Sequence, residues 1–496
     1  MKYFLFIFLF SFNSNARTYI FDVLKNNKAL GESHFKINGV KNSTKSYYAN
    51  IPMKHILISA NKGLVPEVTK EMISVELSSE FKFYEGQGEK CRCRLDLFRK
   101  PIVLNKFNYS DEMEYLGDFR GMDLYRFSVP LVRKKTLGKV ETIKELKIKV
   151  KDGALVSDQE ETFKLNNKLL IVLPKVFSDS KDRLVSYYVN KGYSVSTIDD
   201  ESIISNRESL KKKLKSSYVS DKISYVVFVG NSSHIRPYYL ETKFDSSTPS
   251  DYPYFLLSND SRDIFPDVIG SRISVASNEE LLGFISKGLE QKKFTINKFL
   301  GVSSNEGANP SDEEYVNSIG ENLVFDGEAT HLNQDNSNSN ADTFIAALND
   351  GVDFVTYVGH GSGFSWPSFN QDVTVSDLDN WNIGNRNPIV IDVACQNGKF
   401  DGRGHIGEKM ISGSKDNKFK NGAISYIGGS VDISWNPPAI FAQGMAKAIG
   451  ENKTINTGLA ALKGFTYLLE MHHDIDDVVD HLEWTHIQGD VTASIK

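Results

Sequence analysis

Pro388-Ile389-Val390-Ile391-Asp392-Val393-Ala394-Cys395-Gln396-Asn397-Gly398 is the stretch that decides the fold. A short apolar run follows a proline and stops at a polar turn closed by glycine. Runs of this kind read as strands buried on both faces, the habit of parallel sheets. The same grammar recurs in Phe354-Val355-Thr356-Tyr357-Val358-Gly359-His360-Gly361-Ser362-Gly363. Moving outward, Leu169–Leu173, Tyr193–Ile198 and Tyr225–Val229 read as strands, with helices predicted at 178–191 and 208–215. Downstream, strands are predicted at 299–303 and 423–427, and helices at 279–292, 312–323, 341–348, 438–449 and 457–470. Apolar strands alternating with amphipathic helices imply an α/β fold with a parallel sheet covered on both faces.

Before residue 160 the pattern is different. Segments 35–39, 54–59, 72–77, 80–84, 124–129 and 145–150 alternate or carry β-formers between Gly and Asn turns, which predicts an all-β region. The chain opens Met1-Lys2, runs apolar from Tyr3 to Phe10, and reaches Ser14 and Ala16. That is the pattern of a short secretory signal over 1–16. The expected organisation is therefore a signal peptide at 1–16, a β-rich domain at 17–160 and an α/β catalytic domain at 165–496. The last is large enough for two subdomains. An exported protein is expected, whether secreted, periplasmic or on the cell surface, with no stable membrane insertion; its oligomeric state stays open.

Composition narrows the function. The 496 residues carry 58 Lys+Arg against 63 Asp+Glu, a net charge of −5, which argues against a nucleic-acid-binding surface. Three cysteines exclude a disulfide scaffold. Cys91 and Cys93 sit together, and their pairing stays open because Cys-x-Cys closes a tight loop. Two ligands there do not make a metal site. Cys395 stands alone. No Gly-x-Gly-x-x-Gly or P-loop opens a helix, which argues against nucleotide binding.

Ligands of a parallel sheet bind outside the carboxyl ends of its strands. One strand here ends at His360 and another at Cys395. If the two are neighbours, thiol and imidazole face each other as nucleophile and acid/base. The backbone N–H groups of Gly361 and Cys395 are then candidates for an oxyanion hole. Ser362 is the other local nucleophile, but it lacks the strained elbow of Gly-x-Ser-x-Gly. The bland alternative is a buried Cys395 and a satisfied loop histidine.

Tyr357-Val358-Gly359-His360-Gly361-Ser362 and Asp392-Val393-Ala394-Cys395-Gln396-Asn397-Gly398 resemble the two catalytic segments of gingipain-type cysteine peptidases. These are relatives of caspases and legumain with a His–Cys dyad on a parallel sheet. The resemblance covers about residues 165–496. It implies a caspase-like fold and a cysteine endopeptidase acting on proteins or peptides through a thioester, with Arg or Lys favoured at P1. It further implies that Glu306 orients His360, although a solvated loop glutamate is the alternative. Asp312 lies near where the family's Arg-specific members place the acid at the base of the S1 pocket, with Glu313, Glu314 or none of the three as alternatives. Ser434-Trp435-Asn436-Pro437 resembles the segment whose tryptophan walls that pocket, so Trp435 is a substrate-binding candidate or a core residue. Gln488-Gly489-Asp490 and His405 read as structural.

No cofactor is needed for this chemistry, and no catalytic metal is expected. The family binds structural calcium, for which Asp251, Asp260, Asp263 and Asp267 are candidates beside an ordinary polar loop. A β-rich prosegment precedes the catalytic domain in the family and blocks it until cleaved. That makes the β-domain a prosegment candidate, with Arg133-Lys134-Lys135 or Lys147 to Lys151 as basic cleavage points. A permanently attached β-domain, a sortase-like transpeptidase and an idle secreted binding protein remain alternatives.

Overall fold

The runs at Phe354–Val358 and Ile389–Val393 lie side by side as parallel strands, with Val358 opposite Val393. Every residue of both is buried. The computed structural model describes residues 16–22, 47–49, 53–79, 82–84, 91–92, 110–134, 139–158 and 165–495. Single residues or short runs at 259, 261, 292–294, 308–309, 383–385, 403, 415–418 and 453 are excepted. The signal expected before residue 16 and the strand expected at 35–39 fall outside the described residues.

Ten strands form one sheet. Its order is Ser194–Ile198, Lys168–Val172, Tyr225–Val229, Ile269–Ile273, Thr485–Gly489, Ser425–Gly429, Ile389–Val393, Phe354–Val358, Lys298–Ser303 and Glu328–Asn333. All pairs are parallel except Thr485–Gly489 with Ser425–Gly429. Burial on both faces explains why the strand sequences are apolar throughout. Leu169 and Ile171 pack into one apolar cluster and Leu170 and Val172 into another.

Thr485–Gly489 stands between four strands on one side of the sheet and five on the other. Thr485–Gly489 touches the Ile269 strand through Arg272 opposite Gln488 and pairs fully with the Ser425 strand. The turn at its carboxyl end holds it in place. The Asp490 carboxylate is buried and accepts from Tyr187 Oη at 2.6 Å, Lys191 Nζ at 2.5 Å and the Thr492 N–H at 2.8 Å. Gly489 sits at φ +93°, and a Cβ there would lie 2.4 Å from the Ile424 carbonyl oxygen. Only glycine fits that close approach.

The N-terminal strands form two four-stranded sheets. Arg17–Asp22, Lys139–Lys151 and Glu67–Ser79 pair in that order, with Val132–Lys134 also on Lys139–Lys151. Gly153–Leu155, Met53–Asn61, Met122–Pro130 and Glu112–Phe119 form the other sheet. Lys147 to Lys151 therefore sits in a strand paired on both sides, where its backbone is not presented for cleavage.

The second of these sheets shares a core with the α/β part. Leu57, Leu116, Phe119 and Leu124 belong to the same apolar cluster as the large sheet. Phe119 meets Phe265 edge-on at 4.8 Å between centroids. Polar ties reinforce the contact. Ile264 N–H donates to Leu116 O at 3.0 Å, and Arg126 donates to the carbonyls of His472 and His473 at 3.0 Å each. Among the described residues, no helix is long and apolar enough to cross a membrane.

Candidate active site

Two adjacent strand ends present His360 and Cys395 at one rim of the sheet. The loops they open into are tied together. Gly363 N–H donates to Asn397 Oδ1 at 3.0 Å, and Asn397 Nδ2 donates to Asp392 Oδ2 at 3.1 Å. The same oxygen accepts from Trp366 Nε1 and Tyr426 Oη, each at 2.6 Å. Burial pushes the Asp392 carboxyl up to about 7. A Cβ on Gly361 would lie 2.3 Å from the Cys395 carbonyl oxygen. The absence of a side chain there lets the histidine loop lie directly on the cysteine turn.

Cys395 is fully buried. Its Sγ accepts from the Ile433 N–H at 3.4 Å. Burial pushes the thiol up to about 12, so it rests protonated at neutral pH. The next residue, Gln396, has φ +62°, an unusual conformation for a non-glycine residue. It is held by its own N–H on Val431 O at 2.8 Å and by its amide on Asp432 Oδ1 at 2.8 Å.

Both His360 ring nitrogens are engaged. Nε2 lies 2.7 Å from Glu306 Oε2, and Nδ1 is hydrogen-bonded to the carbonyl oxygen of Arg92. A backbone carbonyl and a carboxylate both accept, an arrangement that favours the doubly protonated ring. The Glu306 hydrogen bond raises the His360 pKa above its usual range, and the same bond holds the Glu306 carboxyl below its own. Trp435 meets the His360 ring edge-on at 5.8 Å.

The residue that organises the site is one whose sequence context gives it no role. Arg92 is fully buried although it lies 220 residues before Asp312 in sequence. Its Nη1 donates to both Asp312 oxygens at 3.0 Å, and its Nε donates to Trp435 O at 2.9 Å. Its guanidinium lies over the Trp435 ring, 4.5 Å from the centroid. Its N–H donates to Ile433 O at 2.9 Å, and Cys91 makes an antiparallel bridge with Ser434. The segment thus lies as a short added strand along 433–434 and drops an arginine into a pocket with an acid floor and an aromatic wall.

The local sequence explains why Asp312, rather than a neighbouring acid, is that floor. Ser311 caps the helix Asp312–Asn322, and Glu314 reaches back to the Ser311 N–H at 2.7 Å in a capping box. Glu313 and Glu314 are exposed, while Asp312 turns inward and also accepts from Ser304 Oγ at 2.7 Å. Tyr315 Oη donates to Asn436 Oδ1 at 2.9 Å, bracing the Trp435 segment against the same helix.

The other candidates lie apart. Ser362 Oγ bonds Ser365 Oγ at 2.8 Å at the surface. His405 stacks on Phe364 at 4.8 Å and precedes the helix Ile406–Ser412. Asp251 is committed to Arg272 at 2.8 and 2.7 Å, and Asp260 to Arg262 at 2.9 Å. Asp263 and Asp267 are buried carboxyls whose pKa values burial raises, to about 7 for Asp263. These four aspartates do not converge on a cation cradle. The one close His/Cys/Asp/Glu group among the described residues is Cys91, Cys395 and Asp432. Cys91 is disulfide-bonded and has no thiolate to offer a metal. Cys93 lies outside the described residues.

A parallel sheet with a histidine and a cysteine at adjacent strand ends defines the caspase-like fold of gingipain-type cysteine peptidases. Residues 164–496 match peptidase family C25, and the chain belongs to that family. In fold it superimposes on the crystal structure of the Arg-specific cysteine proteinase gingipain R with a TM-score of 0.58 at 23% identity, covering 66% of this chain and 78% of that one. The complex of Porphyromonas gingivalis RgpB pro- and mature domains gives 0.58 at 21% identity, covering 66% and 79%. In sequence it is 26% identical over 293 residues to Gingipain R2 of Porphyromonas gingivalis strain W83, covering 55% of this chain and 38% of that protein. It is 22% identical over 361 residues to Lys-gingipain HG66 of Porphyromonas gingivalis, covering 68% and 20%. The chain therefore spans well under half the length of these relatives.

Proposed function

We propose that the chain is an exported cysteine endopeptidase that cleaves after arginine and is held latent by its own N-terminal region. The observation that carries this reading is Arg92, seated between Asp312 and Trp435 with its carbonyl on His360. An arginine that belongs to the chain fills the pocket as a P1 side chain would.

The chemistry is set by the groups around it. Cys395 is the nucleophile: its thiolate attacks the scissile carbonyl and forms a thioester that water releases. His360, oriented and kept cationic by Glu306, supplies the proton to the departing amine. The N–H groups of Gly361 and Cys395 are assigned to hold the developing oxyanion. Arginine is favoured over lysine because two of the contacts need a guanidinium. Lysine has no Nε–H for the Trp435 carbonyl and no planar group to lay over the indole.

Latency is supported by three features of the same contact. The pocket is filled, His360 Nδ1 is tied to the Arg92 carbonyl, and the Cys395 thiol is buried and protonated. In this reading residues 17–160 act as a prosegment, 1–16 as the export signal, and 165–496 as the peptidase.

Peptides that differ only at P1 test the specificity once the N-terminal region has been removed by limited proteolysis. Cleavage should follow Arg, weakly Lys, and be absent in Cys395→Ala. Asp312→Asn should lower kcat/KM for Arg substrates by about a hundredfold or more, the scale of breaking a buried charge pair. A profile indifferent to P1, or unchanged by Asp312→Asn, would remove the pocket from the account.

A further inference from the structure

The residue before Arg92 is seated as closely as Arg92 itself. The segment runs antiparallel to 433–434, with the Arg92 N–H on Ile433 O at 2.9 Å and Cys91 bridged to Ser434. Successive side chains of an extended strand point to opposite faces. Arg92 turns toward Asp312, so Cys91 turns the other way. There it is 7% exposed and joins Cys395, Val431, Ile433 and Trp484 in one apolar cluster, with Phe244 packed against it.

Two elements outside the arginine pocket wall this seat. Trp484 ends the helix Ile475–Trp484 and is fully buried. Phe244 stacks on it with 6.0 Å between ring centroids. Phe244 is carried on the tip between the antiparallel strands Tyr238–Leu240 and Thr248–Ser250. That tip is pinned to the same helix: Lys243 Nζ donates to Asp477 Oδ1 at 2.6 Å, and the Lys243 N–H donates to Asp480 Oδ1 at 3.3 Å. Asp432 stands at one side of the seat. A carboxylate oxygen of Asp432 and the sulfurs of Cys91 and Cys395 all lie within 4.8 Å of one another, and its Oδ1 accepts from Gln396 Nε2 at 2.8 Å.

We propose that this seat is the S2 subsite of the peptidase, and that it selects a short apolar P2 side chain such as Val or Ala and rejects Asp and Glu. The proposal rests on the peptidase reading above: where Arg92 stands in for P1, Cys91 stands in for P2. Val431, Ile433, Trp484 and Phe244 present apolar surface, so an aliphatic side chain gains by leaving water there. An acidic side chain would lose its water in the same place and meet the like charge of Asp432. Phe244 and Trp484 are thus specificity-determining residues, although neither touches the arginine pocket's acid or the catalytic histidine in sequence or through a hydrogen bond.

The seat is tested first in the full chain, through residue 91 itself. Cys91→Val, Cys91→Ala and Cys91→Asp all lack the Cys91 sulfur, so differences among them report the seat. The native proteins are treated with iodoacetamide, and the adduct on Cys395 is followed by peptide mass spectrometry. Cys91→Val should label slowest, and Cys91→Asp at least about tenfold faster. Adding Asp432→Asn to Cys91→Asp should take back part of that difference. Equal rates for the Val and Asp proteins, or no effect of Asp432→Asn, would overturn the seat.

A second arm uses the parent sequence, so it does not depend on a variant folding. The chain is activated by limited proteolysis and given peptides that share Arg at P1 and differ only at P2. The value of kcat/KM should be about tenfold higher for Val than for Gly, and about tenfold higher for Gly than for Asp. Phe244→Ala should bring the Val-to-Gly ratio down toward one. A flat P2 profile with cleavage still following Arg overturns this proposal and leaves the peptidase reading standing. No cleavage of any peptide overturns the peptidase reading instead, and the labelling order then decides the seat by itself.

Discussion

Arg92 and Asp312 form a buried ion pair with both side chains fully excluded from solvent. Removing one partner of such a pair typically costs about 3–5 kcal/mol, because the other charge is left buried alone. In the proposed reading the same pocket accepts arginine from a substrate, and its acid serves binding rather than stability. The His360–Glu306 contact is a second residue-level device. The hydrogen bond to Glu306 is the main reason the imidazole stays protonated above its usual range. Glu306→Gln removes the charge that favours the imidazolium, so the His360 pKa should fall. Titration of the ring by NMR in both forms checks the sign, and an unchanged or higher value in the variant would detach Glu306 from His360.

Gln396 and Arg92 mark the limits of reading residues in sequence. The Cys395 turn is legible because a wholly apolar strand ends in Ala-Cys-Gln-Asn-Gly. The pocket acid is nearly legible, since Ser311 with Glu314 reads as a capping box and leaves Asp312 to face inward. Arg92 is not legible at all. It sits in Cys91-Arg92-Cys93-Arg94, a stretch with neither helix nor strand periodicity, and its partners lie hundreds of residues away.

At the scale of elements, the strand Ile389–Val393 supplies the scaffold and leads directly into the Cys395 turn. Asp392 is its one polar residue, and three hydrogen bonds on a single oxygen fix the turns around the site. Its carboxyl, ordinarily at 3.8, is pushed by burial to about 7. Between those values the folded chain holds a proton that the unfolded chain has released. Asp392 therefore contributes a stability that falls as pH rises through that window. Asp392→Asn has no proton to lose. The difference in denaturation midpoint between parent and variant should shift in favour of the variant from pH 5 to pH 8. A difference independent of pH would show that the buried carboxyl does not titrate there.

The parallel strands are legible because burial on both faces leaves an apolar run. Thr485–Gly489 is not, because Thr485, His486 and Gln488 interrupt its run while Trp484, Ile487 and Asp490 supply the anchoring. The edge strand Glu328–Asn333 is missed for a related reason. It is exposed along most of its length and shows no apolar pattern.

At the scale of the whole molecule, the second N-terminal sheet and the α/β part share a continuous core, and Arg92 adds a buried contact between the N-terminal region and Asp312. The sequence separates the two regions by their different periodicities. The resemblance makes the first a prosegment candidate for the second, but no periodicity or patterned surface singles out Arg92 as the residue that reaches Asp312. Latency is therefore expected to belong to this contact and not to a defect in the catalytic groups.

The most direct measurement of that claim is the labelling of Cys395 by an arginyl chloromethyl ketone in the intact chain. Parent protein should label slowly, with the pocket filled and the thiol near 12. Arg92→Ala should open the pocket and free His360, raising the rate of Cys395 labelling by about two orders of magnitude or more, and His360→Ala on that background should abolish it. Equal labelling of the parent and Arg92→Ala proteins, or labelling at a residue other than Cys395, would contradict the account.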